Sequence, residues 1–308
     1  MDEKDPHLTS QIEAEIKRSV MMRGTSDLII SKLWSLAPLL VLSTLFAVFI
    51  LIIGISLSYD RTPFIVGALA LVFLVVSFII FSLLVIYPLY LMIKRRTEHF
   101  KRDHILMKGL IEYLSLRGPE ENIDLTQEIS TLNLIMFEAY QSEDEKSPMM
   151  YSLITLVVPV VGFFYVLYFL MRDIYTHDKR LAAFMENSQR GFDKLGYVIV
   201  IPTWKTLNER NFVMYLCLSL VFPPFAIYWI YGLIDDYNKH FKNQWIFEDQ
   251  IMICIEGKYQ IQSRTSPMDK QQPPPPQEMR QSCFECGGNM RYIPDYNRWY
   301  CDRCRVYK

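Results

Sequence analysis

Tyr87-x2-Tyr90-x8-His99 is the first of three copies of one phrase, and the others are Tyr165-x2-Tyr168-x8-His177 and Tyr228-x2-Tyr231-x8-His240. No other Tyr-x2-Tyr pair occurs in the sequence, so the recurrence indicates an internal repeat. Each copy lies where an uncharged run gives way to a polar segment. The repeat therefore predicts a membrane helix whose end continues into water.

Four long runs without charged residues are the strongest compositional feature of the 308-residue chain, which is 51% hydrophobic and carries a formal net charge of -1. Each run exceeds the roughly 20 residues that a helix needs to cross a hydrocarbon layer. The sequence therefore predicts an all-α integral membrane protein, located in the cell membrane and multi-pass. The runs lie between Lys32 and Asp60, Arg61 and Lys94, Lys146 and Arg172, and Arg210 and Asp235.

Basic residues set the expected orientation, because flanks rich in lysine and arginine stay on the cytoplasmic side. Basic residues follow both the second and the third run. A complete crossing by the third run would place these two basic flanks on opposite sides of the membrane. Prolines interrupt the last two runs, at Pro159 and at Pro223–Pro224. These two runs are therefore either Pro-broken complete spans or re-entrant hairpins. We expect two clear spans before them, cytoplasmic helical extensions, and a cytoplasmic N-terminus and C-terminal segment.

Composition divides the chain into four predicted segments. The third is rich in proline and glutamine, with Pro273–Pro276 consecutive, and predicts an extended linker. The segments are amphipathic N-terminal helices (1–33), a helical membrane domain (34–257), the linker (258–281) and a zinc ribbon (282–308).

Two cysteine pairs near the C-terminus have the spacing of a zinc site, Cys283-x2-Cys286 and Cys301-x2-Cys304. Each pair fits a tight turn, and four thiolates complete a tetrahedron around one Zn²⁺. We predict one structural Zn²⁺ in a small β ribbon, since the closed shell leaves no position for catalysis. Two disulfides are the competing interpretation, which a reducing cytoplasm disfavours.

Aromatic and basic residues interleave across this terminal segment and predict a binding surface. A cytoplasmic protein is the favoured partner, with nucleic acid and a purely structural tail as alternatives. The residues expected to contact the partner are Arg291, Arg298, Trp299, Arg303 and Arg305.

The segments Cys283–Gly288 and Trp299–Cys304 resemble archaeal-type zinc ribbons, with their Cys-x2-Cys-Gly-Gly start and Trp-Tyr-Cys-x2-Cys end. Ile227–Tyr231 is similar to the Ile-Tyr-x-x-Tyr-Trp signature of small uncharacterised prokaryotic membrane families. These resemblances imply an archaeal-type multi-pass membrane protein with a C-terminal zinc ribbon. They imply no activity.

The repeated phrases also suggest a ligand site. Asp173 precedes His177 by four residues, and Asp236 precedes His240 by four, so a carboxylate could orient each imidazole. The first copy has Arg95 at this position. Three converging histidines would bind a metal or a polar headgroup; alternatively, the tyrosines anchor helices at an interface and the polar residues only begin the solvated segments. The candidate residues are Tyr87, Tyr90, His99, Tyr165, Tyr168, Asp173, His177, Tyr228, Tyr231, Asp236 and His240.

These features favour a non-enzymatic adaptor or scaffold, anchored in the lipid bilayer, that presents its zinc ribbon to a cytoplasmic partner. A transporter or channel-like protein is an alternative, although the uncharged runs lack the polar residues of a permeation path. A lipid- or metal-dependent enzyme using the repeated Tyr, Asp and His rows is another, and it requires His99, His177 and His240 to face one another. The oligomeric state is open.

Overall fold

The computed structural model describes residues 6–58, 63–197, 199 and 206–256 and, near the C-terminus, 281, 282, 286, 289–293, 298–301, 303, 306 and 307. The chain divides into two compact units, Met1–Ile261 and Gln262–Lys308.

Three long helices dominate the first unit, and each carries one copy of the repeat. α4 has 58 residues, α7 has 36 and α9 has 31, and each begins apolar and continues as a polar helix. A 3-10 helix, Lys32–Leu36, precedes α3. The α-helices are α1 (Pro6–Met21), α2 (Arg23–Ser26), α3 (Ala37–Ser58), α4 (Pro63–Glu120), α5 (Thr126–Ser142), α6 (Pro148–Val157), α7 (Pro159–Lys194), α8 (Phe212–Val221) and α9 (Phe225–Ile255).

α4, α7 and α9 pass through two separate apolar clusters. Residues three or four apart on a helix share a face, so each long helix buries one stripe. The first stretch of each stripe, which includes Ile93, Leu170 and Leu233, forms one cluster. The later stretch, which includes Leu110 and Phe184, forms the other cluster with α1 and α5. Between the clusters lies a buried polar layer, and all three repeat histidines belong to it.

The prolines interrupt the helices of the last two uncharged runs. α6 ends at Val157 before α7 begins at Pro159, and α8 ends at Val221 before α9 begins at Phe225. α6 and α8 have 10 residues each. At 1.5 Å per residue they reach about 15 Å, half of a hydrocarbon layer of about 30 Å.

The predicted integral, multi-pass membrane fold and the cell-membrane location are wrong. Across the ranges that the structure describes, no helix combines the length and the apolar character needed to cross a membrane. The physical reason is clearest in the last two runs, where a charge-free stretch of sequence is not one continuous helix. α7 and α9 then use most of their length as buried amphipathic helices.

The second unit contains short strands in one antiparallel sheet with the order β1-β2-β3-β4. They are β1 (Gln281–Ser282), β2 (Asn289–Ile293), β3 (Arg298–Cys301) and β4 (Val306–Tyr307). The predicted β zinc ribbon is not seen in the described part of this unit, whose strands form a small antiparallel sheet. Cys283 and Cys304 lie outside the described residues, and the side chain of Cys301 is not described.

We predict that Gly162 sets the approach of α6 to α7. A Cβ atom at this residue would lie 2.8 Å from Thr155 Cα and 3.0 Å from the Ile154 carbonyl oxygen, both backbone atoms of α6. Gly162→Ala should therefore lower the free energy of unfolding by about 1–3 kcal/mol. Gly67→Ala in α4, where nothing lies within 4 Å of the new Cβ, should raise it by about 0.5–1 kcal/mol. Urea unfolding of both variants checks the contrast, and equal effects would contradict it.

Candidate metal centre

Three histidines meet in the buried polar layer, one from each long helix. His99 on α4, His177 on α7 and His240 on α9 have ring centroids 5.0–5.2 Å apart. Their exposures are 0%, 2% and 0%. One ring nitrogen from each lies within 4.8 Å of the others. The repeat thus places its three histidines at one point on the helix bundle axis.

Asp103 adds a fourth donor to this group. It lies one helical turn after His99 and is fully buried. Its Oδ2 is 3.3 Å from His99 Nε2 and 3.1 Å from His177 Nε2, and His99 Nε2 is 3.2 Å from His240 Nε2. Ligands held 2.0–2.1 Å from a tetrahedral zinc ion are separated by roughly 3.3 Å. Three of the six donor–donor distances therefore match those of a tetrahedral site.

A carboxylate lies behind each imidazole. His99 Nδ1 is 2.8 Å from Asp27 Oδ1, and His177 Nδ1 is 2.9 Å from Glu143 Oε1. His240 Nδ1 is 2.7 Å from Asp178 Oδ1. An ionised carboxylate can only accept a hydrogen bond, so each Nδ1 carries its proton and donates it. In the neutral imidazole, each Nε2 then presents a lone pair to the centre, the arrangement typical of metal-binding histidines.

The centre therefore brings together several polar atoms that depend on few protons. Asp103 Oδ2 and His177 Nε2 are both buried and lie 3.1 Å apart, and neither has another hydrogen-bond partner in the described part of the chain. Buried polar atoms without partners are rare and costly. A cation among these four atoms would satisfy all of them at once.

The surroundings of the centre carry more negative than positive groups. Arg102 is fully buried and pairs with Asp27 at 3.2 Å, Asp103 at 3.0 Å and Glu248 at 2.6 Å. Arg180 pairs with Glu143. Two guanidinium groups thus face five carboxyl groups, counting that of Asp178. Burial, which outweighs the attraction of Arg102, raises the pKa of Glu248 to about 8, so this residue holds a proton at neutral pH.

The pKa values of the donors show where positive charge is favoured. Burial opposes ionisation of Asp103, but His99 and Arg102 outweigh it and hold the pKa of Asp103 well below its usual range. Burial also disfavours a charged His177, yet Glu143 and Asp103 raise the pKa of His177 to about 9. At His240, burial dominates and lowers the pKa to about 4. The centre therefore favours a positive charge between His177 and Asp103.

The tyrosines of the repeat do not join the histidines. Tyr87, Tyr165, Tyr228 and Tyr231 are exposed by 40–53%, and they lie near the apolar beginnings of the long helices. Tyr90 and Tyr168 are half-buried there. The tyrosines and the histidines of the repeat therefore lie at different levels of the helices.

Asp173 and Asp236 do not orient the histidines that follow them. Asp173 pairs with Arg96 at 2.8 Å, whereas Asp236 pairs with Arg210 at 2.9 Å and accepts a hydrogen bond from a tyrosine hydroxyl. Arg95, at the equivalent position of the first copy, is fully buried, and Nη1 of its guanidinium donates to Asn238 Oδ1 at 2.9 Å. This repeat position is polar in all three copies, but its contacts hold helices together outside the centre.

Of the residues predicted to bind a partner through the C-terminal segment, Arg303 is exposed, and its guanidinium donates to the Cys286 carbonyl oxygen at 3.2 Å. Arg305 lies outside the described residues. Only the backbone is described for Arg291, Arg298 and Trp299. The four-cysteine Zn²⁺ site and the partner surface stay predictions.

Sequence reasoning missed four acidic residues at the centre: Asp27, Asp103, Glu143 and Asp178. Asp103 could have been found, because it follows His99 by four residues and therefore shares its helix face. The carboxylates behind the imidazoles could not, since their partners lie 72, 34 and 62 residues away in sequence.

No protein-family model, curated protein or solved structure matches this chain. Fold and site together define a class, a helical protein with a buried three-histidine, one-aspartate centre. No relative adds a function to that class.

We predict that Arg102 is essential to the stability of the polar layer. Arg102→Met removes the cation shared by three buried carboxyl groups and should cost about 3–5 kcal/mol of unfolding free energy. Arg190→Met is the matched control: its ion pair with Glu186 has side chains 60% and 63% exposed, and its loss should cost less than about 1 kcal/mol. Chemical unfolding measures both, and a small effect at Arg102 would show that the carboxylates are balanced in another way.

Proposed function

We propose that this chain is a metal-binding protein in which one divalent transition-metal ion joins the three repeat helices. His99, His177, His240 and Asp103 supply the ligands, and Zn²⁺ is the ion that fits them best. The observation that carries the proposal is the convergence of three imidazole Nε2 atoms and one carboxylate oxygen in a fully buried layer, with three of their six separations at tetrahedral spacing.

The donor chemistry supports zinc over magnesium or calcium. Three imidazole nitrogens with one carboxylate oxygen suit zinc and its neighbours in the first transition series, whereas magnesium and calcium prefer oxygen ligands in larger numbers. The carboxylates behind the imidazoles fix the tautomer that such an ion needs. The excess of negative charge around the centre favours a divalent cation as well.

A structural role for the ion fits better than a catalytic one. Catalytic zinc sites usually use three protein ligands and keep a fourth position for water or substrate, and here Asp103 takes that position. His99, Asp103 and His240 are fully buried, so a substrate would not reach the ion without rearrangement of the helices. The predicted metal-dependent enzyme is therefore the weaker alternative for these residues.

The other predicted functions stay predictions. Contact with a lipid bilayer would rest on the large apolar side chains exposed near the helix breaks, such as Val157 at 72% and Val221 at 85%. The adaptor role would rest on the terminal segment, of which the structure describes separate short stretches. Neither feature bears on the metal centre.

Removal of one ligand should abolish tight binding at this centre. The experiment uses the full-length chain with Cys283, Cys286, Cys301 and Cys304 changed to serine, so that terminal thiolates cannot bind the ion. This protein should retain one equivalent of Zn²⁺ after dialysis, measured by mass spectrometry of the metal. His99→Gln, His177→Gln and His240→Gln should each lose it. Excess Zn²⁺ at a hundred times its Kd should raise the unfolding free energy by about 2.7 kcal/mol.

His104→Gln is the matched control for these variants, because His104 is a partly buried histidine on α4 that does not belong to the three-histidine group. It should retain one equivalent of Zn²⁺. The proposal would be contradicted if the three ligand variants kept their metal, or if the parent protein bound none.

The carboxylate behind an imidazole should also affect affinity. Asp178→Asn weakens the acceptor for His240 Nδ1 and should reduce zinc affinity by about 10- to 100-fold. Asp173→Asn provides the comparison, since Asp173 lies four residues before a repeat histidine, His177, but pairs with Arg96. Competition titration against a chelator gives both affinities. Equal losses would mean that the effect comes from the fold and not from the orientation of the imidazole.

A further inference from the structure

A polar pocket lies beside the proposed metal centre. It is lined by residues of α4, by Tyr140 at the end of α5, and by the acidic loop Glu143–Glu145 that follows α5, and it has a volume of about 270 Å³. His104 and Phe100 form part of its wall. The pocket therefore adjoins a centre whose own ligands are buried.

Glu143 belongs to both places. Its Oε1 accepts from His177 Nδ1 at 2.9 Å, and its Oε2 lies 3.0 Å from His104 Nε2 in the pocket. Phe100 also belongs to both the pocket and the metal centre. Its ring stacks on His177 with centroids 4.3 Å apart, and it lines the pocket. One layer of side chains therefore stands between the pocket and the metal ligands.

The loop that carries Glu143 is fastened by a few polar contacts. Arg96 donates to the Asp144 carbonyl oxygen at 2.6 Å, and Thr97 donates to the Lys146 carbonyl oxygen at 2.9 Å. Asp144 and Glu145 have side chains 68% and 71% exposed. Opening this loop would break these hydrogen bonds and the pairs of Glu143 with His177 and Arg180.

We infer that this pocket is the entry route of the metal ion, and that His104 with Glu143 forms a transfer site on the way to the three histidines. The inference rests on the proposed metal centre. His104 and Glu143 offer one nitrogen and one carboxylate oxygen, the donor types used by the centre itself, so a partly dehydrated divalent ion can exchange ligands in steps. A buried site needs such a path, because its ligands cannot meet the hydrated ion directly.

The kinetics of metal exchange test this role. A residue on the path that does not contact the bound ion changes loading and release by the same factor and leaves Kd unchanged. His104→Gln should therefore slow both rates by about tenfold, the effect on a rate of losing one hydrogen-bonding group. The probe is Co²⁺, followed by its visible absorption in a stopped-flow instrument. The protein is the full-length chain with the four terminal cysteines changed to serine.

Lys108→Gln provides the matched control: it lies one turn after His104 on α4, outside the pocket, with its side chain 58% exposed, and its rates should equal those of the parent. Unchanged rates in His104→Gln would overturn the entry route while leaving the metal centre intact. A large change in Kd would also overturn it, because His104 would then act as a ligand. Absence of Co²⁺ binding in the parent protein would instead refute the proposed function.

Discussion

Convergence of electron-rich atoms in a buried layer is the constraint on which the first unit depends. Three imidazoles turn their Nε2 atoms toward one another and toward Asp103, because a carboxylate accepts from Nδ1 on the far side of each ring. Such a group requires positive charge at its centre, since the interior offers no water to solvate it. The proposed ion would supply that charge and join α4, α7 and α9.

The polar layer also explains why the long helices contain two apolar clusters and not one continuous core. Apolar packing alone does not fix how far one helix is shifted along another, because apolar side chains can repack after a small shift. A layer in which every imidazole must meet one particular carboxylate has a single register. Arg102 extends the same requirement to Asp27 and Glu248, and it therefore connects the segment after α2 with α4 and α9.

The repeat in the sequence was informative about the histidines and misleading about the rest of the phrase. Equal spacing from the tyrosines put His99, His177 and His240 at one level, and the structure brings them together. The tyrosines lie more than two turns earlier, and four of the six are exposed there. Asp173 and Asp236 pair with arginines. Membrane spans were wrongly predicted because the sequence shows where charges are lacking and where prolines stand, but not that the segments around the prolines form separate short helices beside long, partly polar ones. Partners such as Asp27 and His99, 72 residues apart, depend on the tertiary fold and leave no local pattern.

The separation of His99 and Asp103 by one turn of α4 has a consequence for the order of assembly. Both groups belong to a single secondary-structure element, so half of the coordination shell exists as soon as that turn of helix forms. An ion captured there would be a bidentate chelate on an isolated segment, with solvent completing its shell. The imidazoles of the other two helices can join only when those helices dock, so the full shell depends on tertiary packing and not on α4 alone.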